Sequence, residues 1–281
     1  MIQLINVNKI DKKASIKNVN VELKEGESTV IVGTNLEQKT LLLKVMSGIY
    51  QPDEGNVNFN GAQLKLMDKT FFYVPSEPGY KEFSDVRQLF KHYTLYYDNF
   101  DKDLTKVMNS VQISMNDLLE TLCFSKIKLV YLIIALYSNS KYIFLDNILA
   151  NVTQEVKEHM LRIMKKNRLK NQGLIFTAKD LEGLDGIIQN VMIVKDNVNI
   201  YPTTILNQYL KVTLSFKEKI DVEEFKKYKF NYMYPMKRTA IVIMKDDDTY
   251  IKNVFTDCSP SSYDILDLEL DDIFHCIGDY I

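Results

Sequence analysis

Glu27–Gly48 reads ESTVIVGTNLEQKTLLLKVMSG and decides the fold of the chain. Its apolar, β-branched run Thr29–Val32 predicts a short buried strand. A polar loop, Gly33–Gln38, follows, and Lys39–Thr40 opens a helical pattern of apolar residues that ends near Gly48. A strand that leads through a loop into a helix N-terminus is the geometry of a phosphate cradle, because the free N–H groups and partial positive charge of the helix attract an anion.

The loop matches the phosphate-binding pattern G-x-x-x-x-G-K-[ST] at every position except one, where Gln38 replaces the second glycine. Glycines let the backbone approach a phosphate, and a side chain forced into the left-handed region costs roughly 1–2 kcal/mol. A strand that simply turns into a core helix would give a similar pattern, so this stretch alone leaves both interpretations open. The candidate phosphate-binding residues are Gly33, Thr34, Asn35, Leu36, Glu37, Gln38, Lys39 and Thr40.

The composition of the 281 residues is that of an ordinary globular protein, with 46% hydrophobic and 26% charged residues. The length predicts about two domains. A net charge of −2 gives no reason to expect nucleic-acid binding. The three cysteines lack metal-ligand spacing and fit a reducing compartment. The N-terminus lacks the pattern of a signal peptide, and the longest apolar run is far shorter than a membrane span of roughly 18 residues, so we expect a soluble protein.

The segments around this stretch make the interpretation specific. The order NVELKEG, strand, phosphate loop and SGIYQPDEGNVNFNG resembles the nucleotide-binding subunit of an ABC transporter, and the resemblance is collinear through residues 1 to about 200. It implies an α/β P-loop NTPase fold of the ABC-ATPase type, with a mostly parallel sheet, antiparallel N-terminal strands and a helical subdomain at about 84–137. It also implies that ATP and Mg²⁺ are the cofactors.

A second motif, Lys141–Asn147, reads KYIFLDN. Its apolar residues predict a buried parallel strand, and Asp146 ends that strand at the edge where open α/β sheets bind ligands. Asp146 resembles the Walker B aspartate, which supports Mg²⁺ together with the loop threonine, here Thr40. The family has a glutamate at the position of Asn147 and a switch histidine at the position of Lys179. An asparagine orients water but accepts no proton, and losing a general base typically costs about 10²–10⁴-fold in rate.

Other functional positions of the family are also altered in this chain. Ser76 stands in place of the Mg²⁺-side glutamine and Ile10 in place of the adenine-stacking aromatic residue. Only Leu122 remains of the LSGGQ signature, and Phe124 fills one of its glycine positions. The resemblance therefore implies that the scaffold of the family is retained while its ATPase motifs are degenerate. No catalytic residue is assigned; Asn147 and Lys179 stand at the usual glutamate and histidine positions.

The chain is expected to contain two domains, an ABC-type nucleotide-binding domain at 1–210 and a small α+β accessory domain at 211–281. Pro202 begins the boundary, and the residue pattern changes from Lys211 onward. The ending Leu268–Phe274 resembles the "LEDIF" ending of bacterial ABC exporter ATPases. The acidic residues in and before this ending are interpreted as a solvated face rather than a paired-carboxylate site; they are Asp267, Glu269, Asp271 and Asp272.

The resemblance implies a nucleotide-binding subunit that couples ATP binding, with impaired hydrolysis, to a separate membrane permease of the exporter type. Such a subunit docks through its helical subdomain at the cytoplasmic face of the membrane and forms a homodimer or a heterodimer with a second ABC ATPase. The alternative is a non-hydrolysing pseudo-ATPase that acts as a structural or regulatory subunit. A conventional active ATPase that tolerates these changes is a third hypothesis.

Overall fold

Two units make up the chain, Met1–Tyr201 and Pro202–Ile281. The computed structural model describes residues 1–97, 100–101, 103–167 and 172–278. The division lies before the predicted domain limit of 210, at the proline where the boundary was expected to begin. The turn Thr203–Gln208 is part of the second unit because it packs against the helix Ile273–Ile277 of that unit.

The first unit contains two sheets. The strand order is β2-β1-β4-β5 in an antiparallel sheet and β10-β9-β3-β8-β7-β6 in a second sheet, whose strands β9, β3, β8, β7 and β6 pair in parallel. The three central strands are buried along their whole length, as parallel strands covered on both faces are. The strands are β1 (Ile2–Ile10), β2 (Ser15–Leu23), β3 (Thr29–Val32), β4 (Glu54–Phe59), β5 (Ala62–Gln63), β6 (Phe71–Val74), β7 (Tyr142–Leu145), β8 (Gly173–Thr177), β9 (Asn190–Val194) and β10 (Val198–Pro202).

The helices of this unit are α1 (Leu36–Met46), α2 (Val86–Thr94), α3 (Leu104–Ser110), α4 (Phe124–Leu136) and α5 (Gln154–Asn167). The first of them lies between the two sheets, and its apolar residues join the core that both sheets share. The next three fall within the predicted helical subdomain at 84–137. None of the described helices has the length and apolar character that crossing a membrane requires.

The start of α1 differs from the prediction. The helix begins at Leu36, not at Lys39, so the predicted loop Gly33–Gln38 is helical over its second half. The physical reason is Asn35, whose side chain accepts a hydrogen bond from the main-chain N–H of Gln38 at 3.0 Å. Asparagine is among the preferred N-cap residues because this bond satisfies an otherwise free donor of the first turn.

The second unit is an antiparallel four-stranded sheet with the strand order β12-β13-β11-β14. Its element order β-α-β-β-α-β is that of a ferredoxin-like domain, which agrees with the predicted α+β class. The elements are β11 (Tyr209–Ser215), α6 (Val222–Phe225), β12 (Tyr232–Met236), β13 (Thr239–Lys245), α7 (Asp248–Cys258), β14 (Ser262–Leu266) and α8 (Ile273–Ile277).

One acidic residue of the C-terminal ending does not lie on a solvated face as predicted. Asp272 is buried, and its carboxylate accepts two hydrogen bonds from the Lys211 ammonium on β11, at 2.9 and 3.1 Å. It also accepts the main-chain N–H of Glu269 at 2.8 Å. The interpretation failed because it treated four nearby carboxylates as one group, whereas a turn before α8 directs this one inward.

Candidate functional site

The site is built around Asp146, which directly follows β7 and is only 2% exposed. Its Oδ1 accepts hydrogen bonds from the hydroxyl of Thr40 on α1 at 2.8 Å and from that of Thr177 on β8 at 3.1 Å. Its Oδ2 accepts a third from the Tyr73 hydroxyl on β6 at 3.4 Å. The structure thus brings together Thr40 and Asp146, the two residues that the sequence assigned to Mg²⁺.

Thr177 and Tyr73 were missed by the sequence reasoning. Thr177 ends a continuous apolar strand and Tyr73 lies within another, so each has the local sequence pattern of a buried strand residue. Burial, together with the neighbouring Asp146 charge, raises the pKa of Tyr73 and keeps its hydroxyl protonated as a donor. The available signal was their register, because both lie near the carboxyl ends of strands adjacent to β7.

Lys39, the lysine of the loop pattern, is turned inward in this structure. It is 4% exposed, and its ammonium donates a hydrogen bond to the carbonyl oxygen of Ala178 at 2.7 Å. Burial lowers the pKa of Lys39, and the nearby charge of Asp146 opposes that shift. The ammonium therefore has an acceptor within the chain at the end of β8.

Gly33 has a packing reason to be glycine. Its φ is +153°, and a Cβ added there would lie 2.3 Å from the carbonyl oxygen of Val194 on β9. Any side chain would push β9 away from the start of the loop. This position therefore belongs to the scaffold, whatever the loop binds.

Asn147 and Lys179, which stand at the usual catalytic glutamate and switch-histidine positions, line the same cavity. Its volume is about 200 Å³, and it is also lined by Lys157, Asp180 and Glu182. Asn147 adopts a left-handed φ of +50°, and its main-chain N–H donates to the Thr177 hydroxyl at 2.6 Å. The structure therefore places the two predicted residues together, without showing a chemical role for either.

Lys128 on α4 is a further functional candidate that the sequence reasoning missed. It is 2% exposed, and its ammonium donates to the carbonyl oxygens of Asn147 at 3.0 Å and Ala150 at 2.9 Å. Burial lowers its pKa, while Asp146 and Glu77 oppose the shift. The available signal was a lysine inside the otherwise apolar run Ile127–Leu136, where an unpaired charge would be costly.

The side chains of Thr40 and Asp146 offer oxygen ligands of the kind that a hard cation takes. A hydroxyl and a carboxylate are ligands that Mg²⁺ prefers, but Thr40 and Asp146 are bonded directly to each other, so an ion would have to enter between them. In the described part of the chain, no group of three or more His, Cys, Asp or Glu side chains could hold a metal ion on its own.

The cavity beside the start of α1 contains several of the predicted nucleotide-side residues. Its volume is about 240 Å³, which is below the roughly 300–1,000 Å³ of typical ligand pockets. Thr40 and Ser76 both line it, so the residue in place of the Mg²⁺-side glutamine does face the loop threonine across one cavity. The other lining residues are Asp11, Lys13, Ala14, Leu36, Glu37, Leu41, Lys44 and Tyr50.

Comparisons with known proteins agree with this architecture. The family model for ABC transporters matches residues 16–150. The chain is 23% identical over 197 residues to a galactose/methyl galactoside import ATP-binding protein, MglA, of Clostridium perfringens, covering 65% of this chain and 38% of that protein. It is 24% identical over 203 residues to a ribose import ATP-binding protein, RbsA 1, of Streptomyces avermitilis, covering 66% of this chain and 38% of that protein. The chain thus spans about two fifths of the length of these curated relatives.

Solved structures give the same result for the fold. The ATP-binding subunit of an ABC transporter superposes with a TM-score of 0.63 at 13% identity, covering 74% of this chain and 92% of that one. A nucleotide-free ATP-binding cassette gives a TM-score of 0.59 at 16% identity, covering 72% and 91%. These likenesses confirm the predicted P-loop NTPase, ABC-ATPase fold. The relatives quoted above are named import proteins, which does not support the exporter type that the C-terminal ending implied. The first unit thus has the ABC-ATPase fold, and residues 16–150 within it match the family model for ABC transporters.

Proposed function

We propose that the chain is the nucleotide-binding subunit of an ABC transporter, which couples ATP binding to a separate membrane permease and hydrolyses ATP slowly. The observation that supports slow hydrolysis is the identity of Asn147, which directly follows Asp146 at the end of β7. Its amide can orient a water molecule but cannot take the proton of that water. We expect hydrolysis to be about 10²–10⁴-fold slower than in an ABC ATPase with a carboxylate at this position.

Nucleotide binding depends on a rearrangement of groups that now satisfy one another. Thr40 and Asp146 would hold Mg²⁺, which neutralises phosphate charge when bound. Lys39 would exchange the carbonyl of Ala178 for a phosphate oxygen, because an ammonium binds phosphate as a point charge. The chain's own contribution is therefore to release these three side chains and then hold them against the phosphates.

The helical subdomain supports the proposed coupling to a permease. A groove of about 660 Å³ is lined by residues between β6 and α2, by Gln88 of α2, and by Leu118 and Glu120 before α4. Its side chains combine Tyr80 and Phe83 with charged neighbours, a mixture that suits the short helix of a membrane partner. The partner places the subunit at the cytoplasmic face of the membrane, as a homodimer or with a second ABC ATPase. The names of the relatives favour import over export.

Titration calorimetry with MgATP tests this proposal, followed by hydrolysis measurements on the same protein. We expect binding that Lys39→Ala abolishes and that Lys166→Ala, an exposed lysine on α5, leaves unchanged. Hydrolysis at the rate of an intact ABC ATPase, lost in Lys39→Ala, would show that the site is not impaired. Co-purification of an integral-membrane protein from native membranes tests the permease.

A second candidate function is a pseudo-ATPase that holds a membrane complex together without nucleotide. It is favoured by the internal hydrogen bonds of Lys39, Thr40 and Asp146, which leave the site satisfied in its present state. In this case calorimetry gives no heat at millimolar MgATP, while the membrane partner still co-purifies. Loss of that partner together with absence of binding would contradict both functions.

A further inference from the structure

We infer that the side chain of Gln38 is a latch that holds the phosphate loop in its helical, closed form and thereby limits the nucleotide affinity of the domain. The inference rests on the proposed function, because it concerns the same loop. It assigns a specific cause to low affinity, namely the hydrogen bonds of a single amide group.

The latch is defined by two hydrogen bonds. Gln38 is half-buried in the first turn of α1, and its Nε2 donates to the carbonyl oxygen of Ser15 at 2.9 Å and to that of Lys195 at 3.4 Å. Ser15 begins β2 in the antiparallel sheet, whereas Lys195 directly follows β9 in the parallel sheet. One side chain therefore fastens the start of the helix to both sheets of the unit.

The main chain at the same position is also occupied. The N–H of Gln38 donates to the side chain of Asn35 at 3.0 Å, and the N–H of Lys39 donates to the carbonyl oxygen of Asn35 at 3.2 Å. The N–H of Gln38 is one of the donors that an anion at a helix N-terminus would use, whereas the N–H of Lys39 makes the first ordinary hydrogen bond of the helix. Because the N–H of Gln38 is already bonded to the Asn35 side chain, a phosphate that binds this donor has to displace that side chain. A phosphate that also takes the N–H of Lys39 has to break the first bond of the helix and unwind its first turn.

Unwinding this turn separates the Gln38 amide from both carbonyls. Two ordinary hydrogen bonds oppose such a change by roughly ten- to hundredfold in an equilibrium constant. A glycine at this position removes the amide and also weakens the turn, since glycine disfavours a helix. Methionine keeps the length and helix preference of glutamine but removes the hydrogen bonds. Comparing the two substitutions therefore distinguishes the effect of the side-chain hydrogen bonds from the effect of a more flexible backbone.

MgATP affinity of the full chain, measured by titration calorimetry, tests the latch in Gln38→Met and Gln38→Gly. The matched controls are Gln154→Met and Gln154→Gly, because Gln154 is an exposed glutamine at the first position of α5 and donates to Glu158 at 3.1 Å. We expect affinity to rise about tenfold or more in Gln38→Met, further in Gln38→Gly, and to stay within about twofold of wild type in both controls.

Hydrogen exchange of the main-chain amides of residues 36–39, measured without nucleotide, is a second test. A general loss of stability would also speed exchange in the parallel sheet, whereas loss of the latch would speed it at residues 36–39. We expect faster exchange there in Gln38→Met and unchanged exchange in the parallel sheet. Wild-type binding that Gln38→Met and Gln38→Gly fail to tighten overturns the latch and leaves the proposed function standing. Tightening of equal size in the Gln154 variants also overturns it. If the amides of residues 36–39 exchange at the same rate in Gln38→Met as in wild type, the latch is overturned as well.

Discussion

Two buried lysines flank the carboxylate of Asp146. Lys39 and Lys128 are 4% and 2% exposed, and each ammonium donates to a main-chain carbonyl that lies next to a residue of the site. A buried ammonium is tolerated only when hydrogen bonds or an opposite charge compensate for its lost hydration. Here both compensations are present, so the charge of Asp146 is balanced by the protein itself in this structure.

The titration of Lys128 gives a prediction about stability at alkaline pH. Burial lowers its pKa in the folded state below its ordinary value of 10.5, so in the window below 10.5 the unfolded chain binds more protons than the folded chain. The free energy of unfolding contributed by this residue therefore rises with pH across that window. We expect wild type to gain stability relative to Lys128→Met as pH increases toward 10.5, measured by urea unfolding. A constant difference between the two proteins would contradict the prediction.

At the scale of elements, the strands were predictable, whereas the local signal for the helix start was limited to the N-cap residue Asn35. The runs that became β3, β7 and β8 are continuous and apolar, which is a local signal of a doubly covered strand. The start of α1 depends on a side chain that caps it and on the Gln38 amide, whose partners lie 23 and 157 residues away in sequence. A short stretch of sequence cannot indicate hydrogen-bond partners that are so far away along the chain. The carbonyls that Lys128 binds are likewise 19 and 22 residues away in sequence.

The buried position of Asp272 also depends on a residue that is far away in sequence, Lys211 of β11. This ion pair gives a prediction about the stability of the second unit. The Lys211 ammonium is 19% exposed and Asp272 is 9% exposed, so breaking this pair leaves a carboxylate with little access to water. We expect Lys211→Met to lower the free energy of unfolding of the second unit by about 1–3 kcal/mol. Lys226→Met is the control, because the pair of Lys226 and Glu223 is 67% and 74% exposed and such pairs contribute about 0–1 kcal/mol. Equal losses in the two variants would show that the C-terminal pair has no structural role.

At the scale of the whole molecule, each unit has a hydrophobic core of its own. The core of the first unit gathers residues from both its sheets and α1, whereas the cores of the second draw on β11, β13 and α7 with their neighbours. Among the described residues, the first of these cores has no member in common with the other two. Thr40 and Asp146, the predicted Mg²⁺ residues, both belong to the first unit.

Calorimetric unfolding of the full chain should therefore show two transitions that respond to different substitutions. Thr177→Val deprives Asp146 of a donor and leaves the N–H of Asn147 without its acceptor, a loss of about 1–3 kcal/mol that belongs to the first unit. Lys211→Met acts on the second, where a loss of 1 kcal/mol lowers Tm by about 4–8 °C in a domain of this size. We expect each variant to move one transition, and the double variant to show both shifts without interaction, since substitutions that affect different hydrogen-bond partners add. A single transition that both substitutions displace would mean that the two units unfold as one.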